Sequence, residues 1–275
     1  MPPKGILLSG LRLEIEQLRH SLEPESAPSD PALWHEDTRE EWLLRAPRAF
    51  DGQRHFMVEA LRHRLSVLAH GLPPAAIARA LDAMSRVPRE RFICPWIADL
   101  AYLPMAIDIG LDQTISHPEM VAILVAAADP DGGHVLDVGT GSGYQAAVLS
   151  LIAEHVTSIE IIAPHAERAR QRIRECGYEN ASVVHGDAGE LTAAFPRHQF
   201  DAIVIAARSD RPPANLVSLL KTGGRLVMPI EDAGSGQNLV LFRKTAHDRL
   251  DETIICPAQF VPLTGVSRNA VTTGA

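Results

Sequence analysis

The chain has 275 residues, 46% hydrophobic and 22% charged, which is the balance of a soluble globular protein long enough to bury a core and carry an appendage. A formal net charge of −8 leaves no overall basic field to attract nucleic acid, and no apolar run is long enough to span a membrane. Neither kind of partner is expected. Cys94, Cys176 and Cys256 are widely spaced without a CxxC pair, so neither a disulfide framework nor a metal site is expected. The charged N-terminus lacks the apolar block of a signal peptide, which makes the cytoplasm the expected compartment.

Residues 1–55 read as a partly helical extension. Leu8, Leu11, Leu13, Ile15, Leu18 and Leu22 form a short helical pattern, and a polar stretch follows from Glu23 to Pro31. Trp34 and Trp42 then stand in polar surroundings, which suits docking of this segment on the chain's own domain or, as the second alternative, on a partner. Residues 56–130 read as a helical cap with a substrate loop. Met57, Leu61, Leu65 and Leu68 recur at helical spacing, and Pro74 opens a second helix carrying Ile77, Leu81 and Met84. A loop spans Cys94–Ser116, and a third helix follows Pro118.

Residues 131–265 alternate strand and helix. Strands are expected over His134–Gly139, Val156–Ile161, Ser182–His185, Asp201–Ala206 and Arg225–Ile230. Helices are expected over Tyr144–Ala153, Pro164–Cys176 and Pro213–Leu220, the last ending at Gly223-Gly224. Leu239–Phe242 and Phe260–Leu263 are expected to add an antiparallel edge, and residues 266–275 a flexible tail. Continuous apolar strands separated by helices indicate a mostly parallel sheet covered on both faces. The expected class is therefore a doubly wound α/β fold with N-terminal helical additions.

In such folds ligands bind beyond the carboxyl ends of the strands. Here the first strand runs into Gly139-Thr140-Gly141-Ser142-Gly143 and then a helix. Glycines allow positive φ and close approach of a ligand to the backbone. Tyr144 stands where a dinucleotide fingerprint requires its last glycine, and no Gly-Lys-Ser/Thr of a phosphate loop follows. A cofactor without phosphates remains. Glu160, about 20 residues beyond the turn at the end of the second strand, can accept both ribose hydroxyls. Asp187, followed by Ala188, is placed either to accept from an adenine amino group or to cap a turn. Asp137, inside the first strand, needs partners if buried, and the glycine-turn amides or a ligand amine would supply them.

Several blocks together resemble the protein-L-isoaspartate (D-aspartate) O-methyltransferase family. They include Val87-Pro88-Arg89-Glu90-Arg91-Phe92, Ala101-Tyr102, Gln113-Thr114-Ile115-Ser116-His117-Pro118, the segment Val135–Leu149, Ser158-Ile159-Glu160, Gly223–Pro229 and Phe260–Leu263. The resemblance implies a Rossmann-like class I methyltransferase fold with a seven-stranded sheet and S-adenosylmethionine as cofactor. It also implies methylation of an L-isoaspartyl carboxylate in a protein or peptide, and repair through a succinimide. Ser116 is then the catalytic candidate that binds the substrate carboxylate or the cofactor edge, flanked by Ile115 and His117. Without the resemblance, Ser116 reads as a helix N-cap. A carboxylate is already ionised at pH 7 and needs alignment rather than a general base.

The chain departs from the family pattern at Leu103-Pro104-Met105, at Asp112 and at Ala188, the first two in the stretch expected to line a peptide cleft. A carboxyl methyltransferase for a dedicated peptide or small metabolite, or a non-catalytic binder with this fold, remain alternatives. His55, His63 and His70 lack ligand-like pairing, and the basic run Arg168–Arg174 reads as a solvated helix face.

Overall fold

Among the described residues, three α-helices precede the sheet: α1 (Phe50–Leu68), α2 (Pro74–Arg86) and α3 (Pro118–Ala128). The last two begin on a proline, whose fixed φ suits a first helical turn and whose missing N–H is not needed there. This computed structural model describes residues 49–68, 71–232, 236–246 and 249–265. The leucine pattern of residues 8–22, Trp34, Trp42, His70 and the tail beyond 265 lie outside the described residues. Among the described residues, no helix is long and apolar enough to cross a membrane.

The stretch expected as a plain loop is more structured. It contains a 3-10 turn at Pro95–Leu100 and a hairpin of β1 (Ile107–Gly110) and β2 (Gln113–Ile115). Leu111 and Asp112 form the two-residue connection with φ of 54° and 57°. Positive φ at both positions is what a type I′ hairpin turn demands.

Beyond α3 the chain runs β3 (His134–Val138), α4 (Tyr144–Ser150), β4 (His155–Glu160), α5 (Ala163–Glu175) and β5 (Ala181–His185). It continues through α6 (Ala188–Leu191), β6 (Phe200–Ile205), α7 (Ala214–Val217), β7 (Leu220–Asp232), β8 (Gly236–Lys244) and β9 (Leu250–Ala258). These strands form one seven-stranded sheet in the order β5-β4-β3-β6-β7-β8-β9. Pairing is parallel from β5 to β7 and antiparallel from β7 through β9. The expected fold class is the observed one.

Period-two alternation divides the core. β3 sends Val135 into one apolar cluster and Leu136 with Val138 into the other, and β6 splits Ala202 and Val204 from Ile203 and Ile205 likewise. Helices α1 to α5 cover the first face, while α6 and α7 with their flanking turns cover the second. Asp129, which ends α3, ties the helical layer to the sheet: it accepts from Arg79 Nε of α2 at 3.0 Å and from Arg225 Nη1 of β7 at 2.9 Å.

Two expectations are corrected. The outer strand is Leu250–Ala258, whereas Phe260–Leu263 makes only an isolated bridge between Pro262 and Arg208. β9 is an edge strand with mostly exposed residues, so its sequence carries no continuous apolar run to announce it. The helix expected over Pro213–Leu220 shortens to Ala214–Val217, and Gly223-Gly224 lie inside β7. The glycines sit where the pairing with β6 shifts register, and so mark a bulge rather than a helix end.

Candidate active site

β3 lies beside both β4 and β6, so the connection leaving its carboxyl end opens at the switch point of the sheet. The glycine turn fills that place. Gly139, Gly141 and Gly143 have φ of 93°, 51° and 91°, conformations that side-chain-bearing residues rarely take. The turn is hooked to β4 by Gly139 N–H donating to Ile159 O at 2.9 Å. Directly beyond, the Glu160 carboxylate accepts from Gly141 N–H at 2.8 Å through Oε2 and from Ile162 N–H at 2.9 Å through Oε1. Each oxygen keeps a second lone pair.

These residues line a cleft of about 370 Å³. Gly139, Thr140, Gly141, Ser142 and Glu160 form one wall, and Ala188 and Ala206 stand beside them. Gln113 to His117 form another wall, and the segment Gln259–Thr264 closes a further side. A Cβ added at Gly139 would stand 3.6 Å from the Ala206 Cβ, and one at Gly141 would stand 3.7 Å from Ile109 under the hairpin. The cleft is thus a backbone cradle beside a carboxylate. None of its described lining residues is Lys or Arg, and the Glu160 carboxylate suits paired hydroxyls. A phosphate-free nucleoside fits this donor set.

Asp137 lies beneath the turn, fully buried. Its Oδ1 accepts from Gln145 Nε2 at 2.7 Å and its Oδ2 from the Ser158 hydroxyl at 2.6 Å. Ser158 has then spent its hydrogen, so the Thr140 hydroxyl, 2.6 Å away, donates to it. Asp137 therefore reaches the turn through a hydroxyl relay and not through the turn's amides, as its position in the sequence had suggested. Burial pushes its pKa up to about 6, with the Ser158 and Gln145 hydrogen bonds pulling the other way.

On the facing wall, the N-cap of α3 is His117, not Ser116: the His117 Nδ1 accepts from Glu119 N–H at 3.0 Å. Ser116 is thereby released from capping. Its hydroxyl makes no hydrogen bond to another described residue and it lines the cleft. Its carbonyl is held by Arg89, a buried guanidinium that donates from Nη2 to Ser116 O and from Nε to Ala101 O, both at 2.7 Å. Arg89 also stacks its Cζ 4.8 Å over the ring of Tyr144, the first residue of α4. Burial lowers its pKa to about 10, which leaves it charged at neutral pH. The Arg89 and Tyr102 motifs meet here, since Arg89 N–H donates to Tyr102 Oη at 3.2 Å.

The structure brings Ile115, Ser116, His117, Gly139, Thr140, Gly141, Ser142, Glu160 and Ala188 onto one cleft. Three candidates stand behind it. Asp137 underlies the turn; Gly143 packs on α5, where an added Cβ would meet Ala169 at 3.2 Å; and Asp187 caps α6, accepting from Gly189 N–H at 2.7 Å. Sequence reasoning missed Met120, Tyr144, Gln145 and Gln259–Thr264 as lining residues. The Phe260–Leu263 block, expected as a strand, lines the cleft instead. Arg172, in the run read as solvated, reaches Ser142 O at 3.3 Å.

The family model for protein-L-isoaspartate(D-aspartate) O-methyltransferase matches residues 73–268. The chain belongs to this family. A Polaromonas protein-L-isoaspartate O-methyltransferase 2 is 41% identical over 194 residues, covering 70% of this chain and 90% of the relative. A Burkholderia cenocepacia protein-L-isoaspartate O-methyltransferase is 43% identical over 214 residues, covering 76% of this chain and 65% of the relative. A solved protein-L-isoaspartate O-methyltransferase superposes with TM-score 0.63 at 26% identity, over 77% of this chain and 67% of that one. A Plasmodium falciparum protein assigned to the same family and crystallised with S-adenosyl-L-homocysteine gives TM-score 0.63 at 21% identity, covering 77% of this chain and 98% of its own, which speaks to the fold alone.

The departures from the family pattern acquire places. Leu103 and Pro104 are buried in the support beneath the cleft, not on its wall. Asp112 occupies a left-handed position in the hairpin, where a glycine carries no strain.

Proposed function

We propose that this chain transfers a methyl group from S-adenosylmethionine to the α-carboxylate of L-isoaspartyl residues in proteins and peptides. One observation carries the reading: the Gln113–His117 segment and the glycine turn form facing walls of a single cleft. S-Adenosylmethionine, when bound, supplies a methyl group activated on a sulfonium. Gly139 to Ser142 cradle it with backbone, and Glu160 accepts its ribose hydroxyls with the lone pairs left over from Gly141 and Ile162. Ala188, held by the Asp187 cap of α6, leaves room for the adenine.

The nucleophile arrives ionised, so the chain needs no base, and the His117 Nδ1 is committed to capping. The Ser116 hydroxyl donates to one carboxylate oxygen and leaves the other to attack. Arg89 fixes Ser116 through its carbonyl, and Ile115, Met120 and Phe260 keep water away. Esterification makes methoxide a leaving group. The neighbouring backbone nitrogen then closes a succinimide with loss of methanol, and water reopens part of the ring to aspartate.

The substrate is a protein or peptide met in the cytoplasm, a placement that suits three unpaired cysteines. The same reading treats residues 56–130 as the cap that presents Ser116 and residues 131–265 as the cofactor-binding core. Incubation with an isoaspartyl peptide and methyl-labelled cofactor is expected to yield label that base releases as methanol. Cofactor binding without base-labile label would overturn the proposal.

A further inference from the structure

The amino ends of β3 and β4, opposite the glycine turn, hold a second cluster of chemistry-bearing side chains. β3 and β4 pair in parallel with His134 directly opposite His155, so the two imidazoles emerge side by side on one face. Their ring centroids are 5.2 Å apart at an interplanar angle of 84°. Glu154, the residue before β4, brings Oε2 to 3.6 Å from His134 Nε2. One donor atom from each of the three residues lies within 4.8 Å of the others. A hollow of about 260 Å³ opens beside them, lined also by Thr157, Glu179 and Asn180.

We propose that His134, Glu154 and His155 bind a divalent transition-metal ion, with zinc as the defining case. The donor set decides the class of ion. Two neutral imidazoles and one carboxylate suit zinc, copper or nickel, whereas magnesium and calcium require sets made of oxygen. The donors sit on anchored backbone. His134 N–H donates to Asp201 Oδ2 at 2.8 Å, Glu154 N–H to Gly133 O at 3.0 Å, and Asn180 Nδ2 to Glu154 O at 3.2 Å. The side chains are partly or fully exposed, so they can draw in by the ångström or so that coordination at about 2.0–2.2 Å requires. Water from the hollow completes the shell.

The site stands apart from methyl transfer. Four residues of β3, Val135 to Val138, separate His134 from the glycine turn, roughly 15 Å at the rise of a strand. Its effect is to clamp β3 to β4 at their amino ends. Because the pair exists only once the strands have registered, ion binding favours the folded chain.

The test is calorimetric titration of zinc into the full-length chain in a non-chelating buffer, beside thermal melting with and without zinc. The native chain contains 12 histidines, so the readout is a difference between variants. His134→Gln/His155→Gln is expected to lose one ion per chain and the zinc-dependent rise in Tm, while His55→Gln/His63→Gln keeps both. Glu154→Gln should weaken binding by at least the roughly 10- to 100-fold typical of a supporting partner. Magnesium should leave Tm unchanged. An ion count and a Tm shift that persist in His134→Gln/His155→Gln, or no zinc binding by the native chain, would overturn the proposal.

Discussion

Ser116 and Glu160 face one cleft from different walls, and their chemistry separates them. A hydrogen bond to a charged group contributes about 1.5–3 kcal/mol, or roughly 10- to 100-fold in binding. Glu160→Gln is therefore expected to raise the Kd for S-adenosylhomocysteine by that factor, measured calorimetrically. Ser116→Ala should leave this Kd unchanged and lower kcat/KM for the peptide by a similar factor. A Ser116→Ala chain that loses cofactor affinity equally would place the serine on the wrong ligand. Asp137 gives a prediction in pH. Its folded pKa, pushed up to about 6, lies above the 3.8 of an unhindered carboxyl. The unfolded chain thus releases this proton first, and stability falls as pH rises through that window. Compared with Asp137→Asn, the native chain should lose about 2 kcal/mol of unfolding free energy between pH 4 and pH 7. Urea titrations at the two pH values read this difference directly, and a constant offset would contradict it.

At the scale of elements, the β1–β2 hairpin carries strain at two adjacent non-glycine residues. Leu111 is 55% exposed and holds φ of 54°, so it pays for the turn without burying much in return. Leu111→Gly should stabilise the chain by about 0.5–1 kcal/mol, the left-handed penalty less the entropy of a glycine. An unchanged or lower urea midpoint would show that Leu111 is relieved by contacts elsewhere. The hairpin is held over the glycine turn by its Gly110 carbonyl, 3.1 Å from His165 Nε2 of α5, a contact between residues 55 apart in sequence. Contacts of that kind explain what could not be read beforehand. Helices α1 to α3 and the buried strands announce themselves, because apolar spacing is local. β9 does not, because an edge strand has little apolar face to show, and the Gly223-Gly224 bulge resembles a helix terminus until its neighbour β6 is known. The His134–His155 pair is likewise a product of register, and no spacing rule along one chain could reveal it.

Across the whole molecule, two kinds of information met at the cleft. The glycine turn and Glu160 were legible because strand, turn and strand end follow one another in sequence. Ser116 was legible only through the family resemblance, since its local signal, a small polar residue before Pro118, reads equally as a cap. The structure separates those readings by giving the cap to His117. Arg89 was marked by a motif, but its task became visible only when α4 and the Ala101 turn packed around it. The proposed methyl acceptor is a protein isoaspartyl carboxylate presented between Ser116 and the glycine turn. The most direct measurement compares two peptides identical except for isoaspartate or aspartate at one position, each incubated with the chain and methyl-labelled cofactor. Base-labile label on the isoaspartyl peptide alone is the predicted result. Equal labelling of both peptides, or labelling of neither by a chain that binds the cofactor, would contradict it.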